Sequence, residues 1–402
     1  MTPQPPELDQ TGNAIVKISA RSRTPPFLAM DVLAEAREME AAGADLVHME
    51  VGEPGFGAPA AAREALDRAL RRGDPLGYTD GLGRPDLREA IAALYRRRHG
   101  IELDPGRVVV TAGSSAGFSL AFLTLFDPGA RVAIGDPGYP CYRNILGALG
   151  LLPLRVETTL ETRFQPTPAQ LRATGRVEGL LVASPANPTG TMLDRPALEA
   201  LAAHCEATGT ALISDEIYHG LEYGARAVSA LEVTDEVVVI NSLSKFHGMT
   251  GWRIGWMVLP ERFVRPVQTL AQNLFICAAH ASQVAGLGAL SEAGEAEAAG
   301  HLPVYAKNRE MVLTALEDLG FEEIAPADGA FYAYAALGSL AADSRSFCAG
   351  LLRHEGVATT PGLDFDPVRG HRTVRFSFAQ PPERIAEGLR RLRRYVEAGC
   401  PG

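Results

Sequence analysis

Asn241-Ser-Leu-Ser-Lys245-Phe-His-Gly-Met-Thr-Gly-Trp-Arg253-Ile-Gly-Trp is a polar, glycine-rich stretch that directly follows the apolar run Val237 to Ile240. Such a run reads as a buried strand, and a lysine just past its end points into the crevice where open α/β sheets bind their ligands. Partial desolvation there lowers an amine's pKa and frees it as a nucleophile toward a carbonyl. A lone lysine in a loop is ordinarily a surface residue, so the neighbours decide. Ser242 and Arg253 flank Lys245. Both can turn toward one phosphate, the arginine as a two-point donor and the serine through its hydroxyl. Thr111-Ala-Gly113-Ser114-Ser115-Ala116-Gly117 supplies a third anchor, because it follows a strand and opens a helix. Backbone N–H groups at a helix start attract anions, and glycine permits their close approach.

Outward from this stretch, β-branched runs alternate with helical patterns: Val108 to Thr111, Arg131 to Ile134, Leu180 to Ser184, Ala211 to Ser214, Val237 to Ile240 and Ile254 to Leu259. Strands separated by helices imply parallel pairing through crossovers. One such helix is marked by Asp194 at its N-cap, Pro196 in its first turn and Gly209 at its close. Earlier, Met30 to Met39 and Ala60 to Leu70 carry helical periodicity. After about residue 285 long helices dominate, with strands at Phe331 to Ala335 and Thr373 to Phe378. The expected division is residues 1–48 as an arm and the first part of a small domain, 49–285 as the large domain, and 286–402 as the rest of the small domain. Met1 to Asn13, polar and proline-bearing, is expected to be a loose arm until a partner packs on it. The arginine runs Arg96 to Arg98 and Arg390 to Arg394 read as solvated helix faces near C-termini.

A net charge of -10 argues against a nucleic-acid partner, whose phosphates an acidic surface repels. Five scattered cysteines without C-x-x-C spacing fit a reducing cytoplasm. The first thirty residues hold no apolar core of a secretory signal, and no run of eighteen apolar residues predicts a membrane span. Histidines show no H-E-x-x-H spacing, so no metal site is expected.

Taken together, Ser242-x-Ser-Lys245 followed by Arg253 resembles the lysine signature of class I/II aminotransferases of the type I pyridoxal-phosphate fold. That resemblance implies a mainly parallel seven-stranded sheet between helices, a smaller α/β domain from both termini, and pyridoxal 5'-phosphate carried by Lys245 as a Schiff base. It runs across most of the chain. Ser184-Pro-Ala-Asn187-Pro-Thr-Gly190 resembles the motif whose asparagine meets the cofactor's phenolic oxygen, and Asp215-Glu-Ile-Tyr218 the motif whose aspartate pairs with the pyridine nitrogen, Tyr218 joining Asn187. A carboxylate at that nitrogen keeps it protonated and the ring an electron sink. In Asp136-Pro-Gly-Tyr139-Pro-Cys-Tyr142, Tyr139 is the expected ring-stacking aromatic. Gly113, Ser114 and Ser115 join Ser242 and Arg253 as the expected phosphate site. Val374-Arg375-Phe-Ser-Phe resembles the arginine motif that grips a substrate α-carboxylate, and Met49-Glu-Val-Gly52-Glu-Pro-Gly the substrate-side glycine motif. Tyr78, in Gly77-Tyr78-Thr79-Asp80-Gly81, matches the tyrosine that reaches the phosphate of the neighbouring subunit, which implies a homodimer with shared sites.

The expected reaction is ping-pong transfer of an amino group between an L-amino acid and a 2-oxo acid through a Lys245 aldimine. A C–S lyase or a decarboxylase on the same scaffold is the alternative, because substrate contacts choose the bond that breaks. A remoter one is a serine hydrolase: Gly113-Ser-Ser115-Ala-Gly117 fits G-x-S-x-G between strand and helix, with Asp364 and His371 as partners, yet no oxyanion motif precedes it. An effector-sensing domain of a transcription regulator is disfavoured because the short segment ahead of the glycine motif shows no basic helix-turn-helix pattern and the chain is acidic. Dinucleotide binding lacks the required glycine spacing. The side-chain pocket is expected to come from loops, including Arg21 to Phe27, and no second arginine is placed to clamp a side-chain carboxylate.

Overall fold

A computed structural model describes residue 16 and residues 18–401. The expected arm, Met1 to Asn13, lies outside the described residues. At the centre is a seven-stranded sheet in the order Val108–Thr111, Gly255–Val258, Val237–Ser242, Ala211–Asp215, Gly179–Ala183, Arg131–Asp136, Leu152–Glu157. Val237–Ser242 is buried throughout and Ala211–Asp215 nearly so, as expected of parallel strands covered on both faces. Helices make most of the crossovers. Arg195–Thr208 is one of them, with the Asp194 carboxylate accepting from Ala197 N at 2.9 Å and Gly209 closing it in the left-handed region.

Two strands differ from the sequence reading. Gly255–Val258 runs antiparallel between Val237–Ser242 and Val108–Thr111. The connection preceding it, residues 243–254, is short and holds only the 3-10 turn Thr250–Trp252, so the chain turns back beside Val237–Ser242, whereas the longer helix-free connection 216–236 crosses over and gives a parallel pair. Leu152–Glu157 is an added parallel edge strand. Its half-exposed Leu-Pro-Leu-Arg-Val-Glu pattern carries little periodic signal.

Separate apolar cores fill the two faces of this sheet, one around Leu180, Val239 and Trp256, the other around Phe122, Ile213 and Met257. A third core gathers on the antiparallel strands Tyr332–Ala336, Thr373–Ser377 and Thr360–Pro361 and includes Val47, Phe347, Ile385 and Tyr395. Val47–His48 pairs in parallel with Val357–Ala358, so the early chain is stitched into the late one. Tyr218, Leu221 and Phe246 from the large sheet's loops also enter this third core. The cleft between the layers therefore opens at the carboxyl ends of the strands. Among the described residues no helix is long and apolar enough to cross a membrane.

Candidate active site

Lys245 sits three residues past the strand Val237–Ser242, in the cleft. Its Nζ donates to Gly52 O at 2.5 Å. Burial pushes its pKa down to about 8, Arg375 adds to the shift, and the negative charges of Glu53 and Asp215 oppose it. The amine is thus partly neutral near neutral pH. Gly52 tolerates no side chain, because a Cβ would run into the Tyr332 hydroxyl. A cavity of about 220 Å3 surrounds Lys245, with Asn187, Asp215, Tyr218, Arg253 and Arg375 all in its wall.

Asp215 ends the neighbouring strand Ala211–Asp215. Burial raises its pKa to about 6, while the Tyr142 hydroxyl, the Ile217 amide and Lys245 pull it down. Tyr142 OH donates to Oδ2 and Ile217 N to Oδ1 at 3.1 Å. Buried beside that carboxylate, the Tyr142 hydroxyl is pushed well above its ordinary value and remains a donor. Tyr139, also on the cavity, packs edge-on to Tyr142 at 5.3 Å and to Phe27 at 6.0 Å.

Arg375 is buried at 1% exposure. Its Nη1 donates to Asn187 Oδ1 at 2.9 Å and its Nη2 to Glu50 O, while Nε has no partner among the described residues. Tyr332 and Phe365 cover the guanidinium at 4.4 and 4.6 Å. No carboxylate among the described residues lies within ion-pair distance of it. A buried cation so placed is costly unless an anion arrives. Tyr218 OH shares a hydrogen bond of 2.8 Å with Tyr332 OH.

Arg253 holds a left-handed backbone, φ 51°, and its Nη1 donates to Thr250 O at 2.8 Å. Gly113, at φ 76°, opens the helix Gly113–Leu125, and a Cβ there would strike the Arg253 guanidinium. Ser114 and Ser115, in that helix's first turn, line the cavity. Ser242 does not line it: its Oγ accepts from Ser244 N at 3.1 Å, and Ser244 is the serine on the cavity wall. Tyr78 is 86% exposed and away from the cavity of its own chain.

A sequence profile for aminotransferase class I and II matches residues 44–392. The chain belongs to that family. It is 48% identical over 379 residues to a valine–pyruvate aminotransferase of Mycobacterium tuberculosis, covering 94% of this chain and 97% of that one. Identity to an aspartate/prephenate aminotransferase of Thermus thermophilus is 34%, over 92% and 96% of the two chains. Among solved structures, an aminotransferase from Mycobacterium tuberculosis superposes with a TM-score of 0.93 at 46% identity, covering 96% of this chain and all of that one. An aspartate aminotransferase from Thermus thermophilus with maleate gives 0.89 at 33%, covering 94% and 100%.

As an aminotransferase, the chain has no place for the serine-hydrolase reading. Ser115 does lie on the cavity, but no histidine does. His371 is exposed and its Nδ1 pairs with Val368 O, while the Asp364 carboxylate is held by Leu28 N and Ala29 N. Of the loop Arg21 to Phe27, Phe27 reaches the cavity, followed by Ala29 and Met30 of the helix Leu28–Ala41. Tyr142, Tyr332 and Ser244 also line the cavity and were not among the expected residues. Tyr142 and Ser244 stand inside the motifs already quoted, near Tyr139 and Ser242. Tyr332 carried no signal beyond an aromatic in a strand.

Proposed function

We propose that this aminotransferase uses pyridoxal 5'-phosphate, carried on Lys245, to move an amino group between an amino acid and a 2-oxo acid in two half-reactions. One observation carries the reading: a half-buried, partly neutral lysine stands beside a buried carboxylate, Asp215, with two arginines, Arg253 and Arg375, that have no carboxylate partner among the described residues. The residues fit the cofactor's chemistry. Arg253, the Ser114 and Ser115 groups and the glycine-opened helix start suit a phosphate. Asp215 suits a protonated ring nitrogen, and Asn187 with Tyr218 a phenolic oxygen.

When bound, the cofactor supplies a sink for the electron pair left at the substrate Cα. Arg375 grips the substrate α-carboxylate in a planar two-point contact and fixes which bond faces Lys245. Lys245, steered by Gly52 O, is placed to take the substrate Cα proton and would carry it across the amino nitrogen to the cofactor-side carbon when the cofactor is bound. Asp215, oriented from behind by Tyr142, holds its negative charge at the floor of the site. Tyr332 and Phe365 roof Arg375 and keep water from it.

The side-chain end of the cavity is walled by Phe27, Ala29, Met30, Val51 and Ile217. That wall, with the likeness to a valine–pyruvate aminotransferase, supports an apolar amino donor. A second copy of the chain is also proposed. Tyr78, on a loop, and Leu274, Phe275 and Ile276, at the end of the helix Glu261–Leu274 and just past it, are exposed on segments that touch through Thr79 N to Cys277 Sγ, 3.5 Å, and His280 to Gly77 O, 2.7 Å. They form an apolar patch from which Tyr78 reaches a partner's phosphate site. Five free cysteines support a cytoplasmic setting.

A panel of amino donors against pyruvate and 2-oxoglutarate tests the reaction. Expected are parallel-line kinetics, 2-oxo acid formed one for one with the new amino acid, no ammonia, and borohydride fixation of the cofactor on Lys245. Full turnover by Lys245→Ala, or ammonia in place of the new amino acid, refutes it.

A further inference from the structure

The helix Leu28–Ala41 presents its N-terminus to the cavity wall: Phe27, Ala29 and Met30 all line the space that opens from Arg375. A helix start carries roughly half a positive charge and free amides, and so would welcome a second substrate carboxylate. Here that position is filled. Phe27 gives no side-chain cap, and Asp364, from the turn Gly362–Asp364 that precedes the strand of Arg375, supplies one. Its Oδ1 accepts from Leu28 N and its Oδ2 from Ala29 N, both at 3.1 Å. Each oxygen accepts an N–H, which is the bonding of an ionised carboxylate. The group is 2% exposed; burial pushes its pKa up, while the two amides and the more distant charges of Arg375 and Arg143 pull it down, with no cation among the described residues within ion-pair distance. The next residue, Phe365, stacks on Arg375 at 4.6 Å, so the carboxylate lies one residue from the site that takes the α-carboxylate.

We propose that Asp364 is a specificity-determining residue that excludes amino and oxo acids bearing a second carboxylate, by turning the helix start from a weakly positive to a weakly negative wall. The inference rests on the aminotransferase reading above, in which Arg375 takes the α-carboxylate. Monocarboxylic substrates place an apolar group against Ala29 and Met30 and are indifferent to the charge behind them. Dicarboxylic ones place their distal carboxylate there and meet Asp364.

Asp364→Asn and Asp364→Ser both remove the charge and keep an N-capping acceptor, so the helix retains its start. In the holoenzyme the ratio of kcat/KM for 2-oxoglutarate over pyruvate should rise on the order of tenfold in both variants, the effect of one charge at short range in a partly buried site. Competitive inhibition by maleate relative to butyrate should strengthen in step, and added salt should narrow the wild-type discrimination. A purely structural cap would lower both acceptors together and leave the ratio within about twofold, and that result overturns the proposal. If the wild type transfers no amino group to either acceptor, the proposed function fails instead, while the maleate-to-butyrate binding ratio still reports on Asp364.

Discussion

Tyr142→Phe isolates one hydroxyl at the floor of the site. Phenylalanine keeps the ring that packs edge-on against Tyr139 at 5.3 Å and Phe118 at 5.2 Å, so the wall stands. What goes is the donation to Asp215 Oδ2, leaving the carboxylate with the Ile217 amide alone. A hydrogen bond to an ionised group contributes about 1.5–3 kcal/mol, and each pKa unit corresponds to about 1.4 kcal/mol. Asp215, at about 6 with Tyr142 in place, should therefore move to between about 7 and 8. At pH 7 its ionised fraction would fall from about nine-tenths to between about half and about one-tenth. With its counter-charge half gone, a bound cofactor's ring nitrogen loses its proton more readily. The acid limb of the kcat profile should move up with Asp215, and cofactor affinity at pH 7 should drop several-fold. Infrared difference spectra of the cofactor-free protein should show a protonated buried carboxyl at pH 7 that the wild type lacks. An acid limb still near 6, with unchanged affinity, would refute the argument.

The remaining predictions concern the other charges. Lys245→Met should abolish transamination yet stabilise the cofactor-free protein at pH 7 by about 1–3 kcal/mol in urea unfolding, because burial holds the lysine at about 8 against an ordinary 10.5. The unfolded chain binds more protons between those two values, so wild-type stability rises with pH across that window and the variant's advantage shrinks there; an advantage independent of pH defeats the account. Gly113→Ala meets both a left-handed backbone, φ 76°, and the Arg253 guanidinium, and should weaken pyridoxal 5'-phosphate binding by about tenfold or more in fluorescence titration, with catalysis at saturating cofactor less affected. Arg375→Lys cannot reproduce the planar contact, and kcat/KM for the amino donor should fall by about 2–4 kcal/mol equivalent, chiefly through KM, whereas cofactor affinity holds.

Much of this was legible because open α/β sheets put chemistry at strand ends, and strand ends are what a one-dimensional reading finds best. The runs Ala211–Asp215 and Val237–Ser242 are apolar until their ends, and Asp215, Ser244 and Lys245 reach the cavity there, because strands buried on both faces can show polar groups to a ligand only where they stop. Pairing direction was less legible. Gly255–Val258 looks like any other run, and only the shortness of the helix-free connection 243–254 sets it apart, since residues 216–236 also lack an α-helix yet join a parallel pair. Contacts between distant segments were not legible at all. Tyr332, 114 residues from Tyr218, shares its hydrogen bond, and Asp364 caps a helix 336 residues away. Even the arginine run Arg96 to Arg98, which reads as a solvated face, puts Arg98 against Phe246 at 4.3 Å and Glu295 at 2.9 Å.

That division has a physical origin in how the site carries its charges. Asp215 and Arg375 are buried and Lys245 half-buried, which alone would destabilise the fold by up to several kcal/mol per unpaired ion. The molecule offsets this with oriented neutral groups: Gly52 O for the lysine, Tyr142 OH and Ile217 N for the aspartate, Asn187 Oδ1 and Glu50 O for the arginine. Neutral partners moderate the desolvation cost without cancelling the charge, so each ion stays available to a ligand. A salt bridge between Arg375 and an acid of the chain would be more stable and would close the site. Motif reading recovers the ions, because their types are dictated by chemistry. It misses most of the neutral partners, since any suitably placed carbonyl, amide or hydroxyl can serve, and position in three dimensions is the one property they must share.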